Sequence, residues 1–159
     1  MKKIIYFIIF IFIFSGCLAR PATKGVGLSS SSYSTNNIVK IAKKHFGKPY
    51  RYGATGPNSF DCSGFVYAVH KTVGVNIPRT SLAQSKIEGR KLSKNQLREG
   101  DMVFFDTSLK GHVNHSGIYL GAGKFIHASS GRAYSVTISD MNGWYKNKFR
   151  WGKHINANK

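Results

Sequence analysis

Between residues 47 and 70 the chain reads GKPYRYGATGPNSFDCSGFVYAVH, and this stretch constrains the rest more than any other. Glycine and proline punctuate its first half, which therefore reads as loop. From Cys62 onward, Phe65, Val66, Val69 and Val73 recur at the spacing of a helix with one buried face. Ser59 or Asp61 is placed to cap that helix, and Cys62 stands where loop becomes helix. A thiol there meets the partial positive charge of unpaired backbone N–H groups, which favours thiolate and makes the sulfur nucleophilic near neutral pH. The plainer alternative is a small buried hydrophobe opening a core helix. Two features favour the reactive thiol: Gly64 leaves the sulfur side uncrowded, and suitable histidines follow downstream.

The N-terminus predicts export. Met1, Lys2 and Lys3 precede an unbroken apolar run over residues 4–14, the charged start and short apolar core of a secretory signal, too short to span a bilayer. The following Phe14-Ser15-Gly16-Cys17 resembles the lipobox of bacterial lipoproteins. By that resemblance residues 1–16 are a signal peptide and Cys17 becomes a lipidated N-terminus. The protein would then be anchored to the cell envelope, on the periplasmic side of the outer membrane in a two-membrane host. A plain signal cut near Ala19 is the alternative. With Cys17 lipidated, Cys62 is the remaining thiol of an exported chain, and an intrachain disulfide is ruled out.

Residues 17–35 are Ser/Gly-rich and lack apolar periodicity, as a flexible tether would. Residues 36–159 have the length of one domain, which is expected to act as a monomer. The formal net charge is +18, and removing Lys2 and Lys3 with the signal leaves 18 − 2 = +16. So basic a chain seeks polyanions. Among nucleic acid, anionic lipid and the acidic cell wall, the export signal disfavours nucleic acid.

A first helix is predicted from a cap at Ser34, Thr35 or Asn36 through Phe46, a second from Cys62 to about Gly74, and a short third over residues 80–87. Strands follow at 102–106, 116–120, 124–128 and 136–138, each bounded by turn residues. Helices first and strands afterwards predict an α+β domain with N-terminal helices packed on a central antiparallel β-sheet. There is no internal repeat.

Of six histidines, His45 and His70 lie late in predicted helices, where exposed or dipole-stabilised histidines are ordinary, and His154 falls in a polar tail. His115 and His127 differ, because they lie on consecutive strands joined by Gly121-Ala122-Gly123. With a three-residue loop Leu120 pairs with Lys124, His127 lies opposite Gly117, and His115 is its diagonal neighbour on the same face. A two-residue loop would put them on opposite faces. If the second helix packs on that face, Cys62, His115 and His127 form a line in which His115 takes the thiol proton and His127 fixes the tautomer of His115. Asp106 or a backbone carbonyl is an alternative third member. A zinc site of Cys62, His112, His115 and His127 is a further alternative, without the paired ligand spacing of recognised sites.

Together, Tyr50-Arg-Tyr-Gly, Asp61-Cys-Ser-Gly-Phe-Val, Leu97-Arg-Glu-Gly-Asp-Met-Val-Phe-Phe, His115-Ser-Gly-Ile-Tyr-Leu-Gly and Phe125-Ile-His-Ala-Ser resemble the NlpC-type papain-like cysteine peptidases of bacterial cell walls. The resemblance runs from about Ile38 to Trp151. It implies a papain-like cysteine peptidase fold, with Cys62 as nucleophile, His115 as general base and acid, and His127 as the residue that orients it. Tyr50 would help form the oxyanion hole, and Asp61 and Ser63 would contact substrate. It further implies hydrolysis of peptidoglycan stem peptides or cross-links, at D-alanyl-diaminopimelate or alternatively D-glutamyl-diaminopimelate bonds, with no metal or other cofactor. Where the family commonly has valine, residue 116 is serine. A catalytically silent wall-binding lipoprotein is the competing expectation.

Overall fold

The computed structural model describes residues 35–155. The expected signal peptide, Cys17 and nearly all of the expected tether lie outside the described residues. Three helices come first: α1 (Thr35–Lys44), α2 (Cys62–Thr72) and α3 (Ser81–Ser85). Five strands follow: β1 (Met102–Phe105), β2 (His115–Gly121), β3 (Lys124–Ala128), β4 (Val136–Asp140) and β5 (Phe149–Lys153). They form one antiparallel sheet in the order β4-β3-β2-β1-β5. The expected α+β arrangement is present, and β5 is the element missed. Its sequence FRWGK does alternate, but over only five residues with Gly152 and two cations among them, a signal too short to stand out; β1 supplies its partner.

Each element follows from local chemistry. The Asp61 carboxylate accepts from the Gly64 amide at 2.7 Å and caps α2, and the Thr80 hydroxyl accepts from Ala83 N at 3.3 Å to cap α3. Side-chain alternation divides the sheet into two faces. Met102, Phe104, Ile118, Ile126 and Ala128 pack under Ile38 and Ala42 of α1 and Phe65, Val66 and Val69 of α2. Val103, Phe105 and Phe125 point the other way and are covered by Met141 and Tyr145 from the turns before β5.

His70 is fully buried rather than exposed, because its position on α2 faces the sheet. Its Nδ1 lies 2.8 Å from the Val66 carbonyl, and burial pushes its pKa down to about 4. His154 lies not in a polar tail but directly after β5, with Nδ1 2.7 Å from the buried Asp101 carboxylate. His45 is partly buried, edge-on to Phe60 at 4.8 Å between ring centroids.

Gly64 has a reason other than room for the sulfur. A Cβ there would lie 2.1 Å from the Ala54 carbonyl oxygen and 3.0 Å from Asp61 Oδ1, so glycine allows the 50–60 loop to cross the first turn of α2. Because backbone blocks the space, Gly64→Ala is expected to destabilise the fold by at least the usual 1–3 kcal/mol of overpacking, about 3 kcal/mol or more, measurable as a lowered urea midpoint.

Candidate active site

Cys62 is the first residue of α2, and its sulfur lies 3.8 Å from Ser81 Oγ on α3 and 4.0 Å from the Asn114 carbonyl oxygen. Asn114 immediately precedes His115, so the sulfur stands at the end of β2 from which that imidazole projects. His115 Nε2 is 2.8 Å from His127 Nδ1, and His127 Nε2 is 2.9 Å from Ser139 Oγ on β4. The two rings meet edge to face at 4.8 Å. Among the described residues no hydrogen bond joins the sulfur to an imidazole. Catalytic hydrogen bonds commonly tighten only with substrate in place.

The histidines share a face, though by a different route from the one expected. Lys124 pairs with Gly121 rather than Leu120, leaving two residues in the hairpin loop, and a bulge between Tyr119 and Gly121 takes up the odd residue. Beyond the bulge Ile118 pairs with Ile126, so the side-chain parity survives. Gly117 makes the meeting possible, since a Cβ there would lie 2.8 Å from the Phe125 ring and 3.1 Å from His127 Cβ.

The expected packing of α2 over the histidines is corrected. The rings project on the face away from the helices, among Phe105, Phe125 and Tyr145. Strand alternation requires this: Ser116 and Ile118 face the helices, so His115 cannot. The sulfur reaches the end of the strand instead of the middle of the face.

The thiol is also less acidic than its helix address implies. Burial pushes the Cys62 pKa up and the neighbouring Asp61 charge pushes the same way, against lowering contacts from Ser81, Ser63 and Ser116. Burial brings His115 down to about 4 and holds His127 well below the ordinary histidine value, with His115 adding to the latter effect. The resting pair is therefore a neutral thiol beside a neutral imidazole. If His115 Nε2–H donates to His127 Nδ1, and His127 Nε2–H to Ser139, then His115 Nδ1 keeps its lone pair free to accept the thiol proton.

Asp106 does not serve this line. Its carboxylate accepts from Lys110 N, Gly111 N and Ser108 Oγ and ties the loop after β1. His112 is exposed in that loop. The zinc set also fails as a cluster, since among the described residues no group of three or more His, Cys, Asp or Glu side chains is placed to hold an ion.

Tyr50 lies within electrostatic reach of the sulfur. Its amide donates to the Tyr134 carbonyl at 2.9 Å, the two rings are 5.4 Å apart, and burial followed by the Cys62 charge raises its pKa. Asp61 and Ser63 are engaged with each other and with Arg79, whose guanidinium pairs with the Asp61 carboxylate and donates to Ser63 Oγ at 2.9 Å. Burial raises the Asp61 pKa, but the Arg79, Gly64 and Gly53 contacts outweigh it and hold it below the usual range.

Sequence reasoning missed Arg79, Tyr145, Ser139 and a buried polar chain. In that chain Ser81 Oγ is 3.0 Å from Ser116 Oγ, Ser116 donates to Gln84 Oε1 at 2.9 Å, and Gln84 Nε2 donates to the Ser63 carbonyl at 3.0 Å. It explains the serine at position 116, whose hydroxyl links β2 to α3 beneath the thiol.

The sequence profile of the NlpC/P60 family matches residues 47–154. The chain belongs to the NlpC/P60 family. Among its relatives is a probable endopeptidase p60 of Listeria grayi, 41% identical over 115 residues that make up 72% of this chain and 22% of the relative. Another is a gamma-DL-glutamyl hydrolase of Bacillus subtilis, 40% identical, matching 64% of this chain and 24% of the relative. The chain thus spans about a quarter or less of the length of these curated relatives. Among solved structures, the peptidoglycan hydrolase RipB of Mycobacterium tuberculosis superposes with a TM-score of 0.62 at 29% identity, covering 76% of this chain and 64% of that one. As an NlpC/P60 domain the chain has the papain-like cysteine peptidase fold, with the helix bearing Cys62 set against the sheet bearing both histidines.

Proposed function

We propose that this NlpC/P60 domain hydrolyses amide bonds in peptidoglycan stem peptides by Cys–His–His chemistry. The observation that carries this reading is the Ser139–His127–His115 hydrogen-bond line ending at the strand terminus against which the Cys62 sulfur lies. The Cys62 proton passes to His115 Nδ1 as sulfur attacks the amide carbonyl, with Tyr50 and the Cys62 backbone N–H as donors to the oxyanion. The C–N bond then breaks, and His115 delivers its proton to the leaving amine. Water, deprotonated by His115, attacks the thioester; carboxylic acid leaves and the thiol is regenerated. Asp61 and Ser63, fixed by Arg79, border the acyl side and contact the peptide there. The step requires no metal or cofactor.

The bond expected from the sequence is the D-alanyl-diaminopimelate cross-link. The gamma-DL-glutamyl hydrolase relative favours a second reading, the D-glutamyl-diaminopimelate bond. Digestion of purified sacculi followed by mass mapping of the muropeptides tests both. Cross-link cleavage turns dimers into intact tetrapeptide monomers, whereas D-glutamyl cleavage leaves dipeptide stems. An unchanged digest would contradict the hydrolase reading, and co-sedimentation with the same sacculi would then favour the silent wall-binding alternative. Anchoring through Cys17 belongs to the same proposal and is tested by the mass of the mature N-terminus.

A further inference from the structure

A cleft of about 560 Å³ opens on the His115 side of the site, walled by Arg132, Thr137, Trp144 and Tyr145 as well as by His115, but not by Cys62, Tyr50 or Asp61. In the chemistry above, the acyl half of the substrate stays on the sulfur, while the departing amine receives its proton from His115. A cleft walled by the proton donor and not by the nucleophile is where the residue supplying that amine must lie.

Its charge is one-sided. Arg132 is its cation, no carboxylate lines it, and among the described residues the guanidinium has neither an ion pair nor a hydrogen bond of its own. The loop carrying it is nonetheless well held: Ser129 N donates to the Ser135 carbonyl, Tyr134 N to that of Gly131 and Tyr50 N to that of Tyr134, each at 2.9 Å. Arg132 is thereby placed by the strand that bears His127 and by the backbone of Tyr50. Across the cleft, Trp144 is 62% exposed, braced edge to face on Tyr145 at 4.8 Å, and carries the Lys148 ammonium 3.5 Å from its ring centroid, a second positive charge beside the cleft.

We infer that this cleft is the leaving-group subsite and that Arg132 selects a residue whose side chain carries a free carboxylate. The inference rests on the hydrolase reading and deepens it. Diaminopimelate fits: its side-chain carboxylate takes the Arg132 fork. Lysine in its place offers Arg132 no anion, so the guanidinium fork is left unpaired.

The test uses three synthetic muropeptides that differ only in the residue supplying the amine: diaminopimelate, its side-chain amide, or lysine. With the wild-type chain, kcat/KM for diaminopimelate is expected to exceed the other two by about tenfold or more, the scale of one hydrogen bond to a charged group. Arg132→Ala brings the three substrates within about twofold of one another, chiefly through KM, and Arg132→Lys restores part of the preference. A preference that survives Arg132→Ala, or equal losses on all three substrates, overturns the inference. Calorimetry with a Cys62→Ala protein and the diaminopimelate-bearing cleavage product needs no turnover, and here Arg132→Ala should weaken binding about tenfold. Arg132-dependent binding without turnover sinks the hydrolase reading and supports the subsite. Turnover with Arg132-independent binding sinks the subsite alone.

Discussion

Replacing His115 by alanine is expected to lower kcat/KM on muropeptides about 10⁴-fold, the upper range for a positioned acid–base group, because this imidazole both receives the thiol proton and protonates the leaving amine. His127→Ala should cost less, about 10²-fold, since His127 acts by holding the tautomer of His115. His127→Asn should recover part of that loss, because its amide oxygen can accept from His115 Nε2–H, a recovery that a merely space-filling role would not give. The pH profile gives an independent reading. Burial holds His115 near 4, so the imidazole remains an unprotonated base well below the 6.5 of a free histidine. The acid limb of kcat/KM should therefore lie near pH 4 to 5. A limb near 6.5 would mean that this ring is solvated during turnover.

The same burial has a cost at low pH. His70, His115 and His127 are all folded as neutral rings with depressed pKa values. The unfolded chain binds these protons near pH 6.5, whereas the folded chain binds those of His70 and His115 only near 4 and that of His127 well below 6.5. The stability contributed is thus fully present above 6.5 and is lost as pH falls toward 4. For His70 alone, a shift from 6.5 to about 4 corresponds to about 3 kcal/mol, and the dyad acts in the same direction. Urea titrations at pH 7 and pH 4 should show a large fall in midpoint, and His70→Leu should flatten the dependence by about one proton. The same slope in wild type and His70→Leu would show that residue 70 is solvated at neutral pH. A peptidase whose acid limb lies near pH 4 would then be limited at low pH by its fold rather than by its base.

The sequence showed most clearly what depends on local chemistry. Asp61 and the apolar period of α2 are short-range signals, and the helix bearing Cys62 begins where they place it. The pairing of His115 with His127 was also legible, because hairpin parity is local arithmetic, although a bulge and a shorter loop replaced the expected turn. What escaped is made by contacts distant in the chain. Ser139 meets His127 from the next strand, Tyr145 lies nearly parallel to His115 at 6.0 Å, and Arg79 reaches Asp61 from 18 residues away. Which sheet face the helices cover is likewise a tertiary choice. It also governs the thiol, since the burial that assembles the site outweighs the helix terminus in setting its pKa.

Everything turns on whether the Cys62 sulfur makes the bond to the substrate carbonyl. Release of muropeptide products by the full chain should fall to about 10⁻⁴ of the wild-type rate in Cys62→Ala, with unchanged circular dichroism. A Cys62→Ala protein that kept a tenth of the wild-type rate or more would contradict the assignment, roughly a thousandfold above the residue expected for a lost nucleophile.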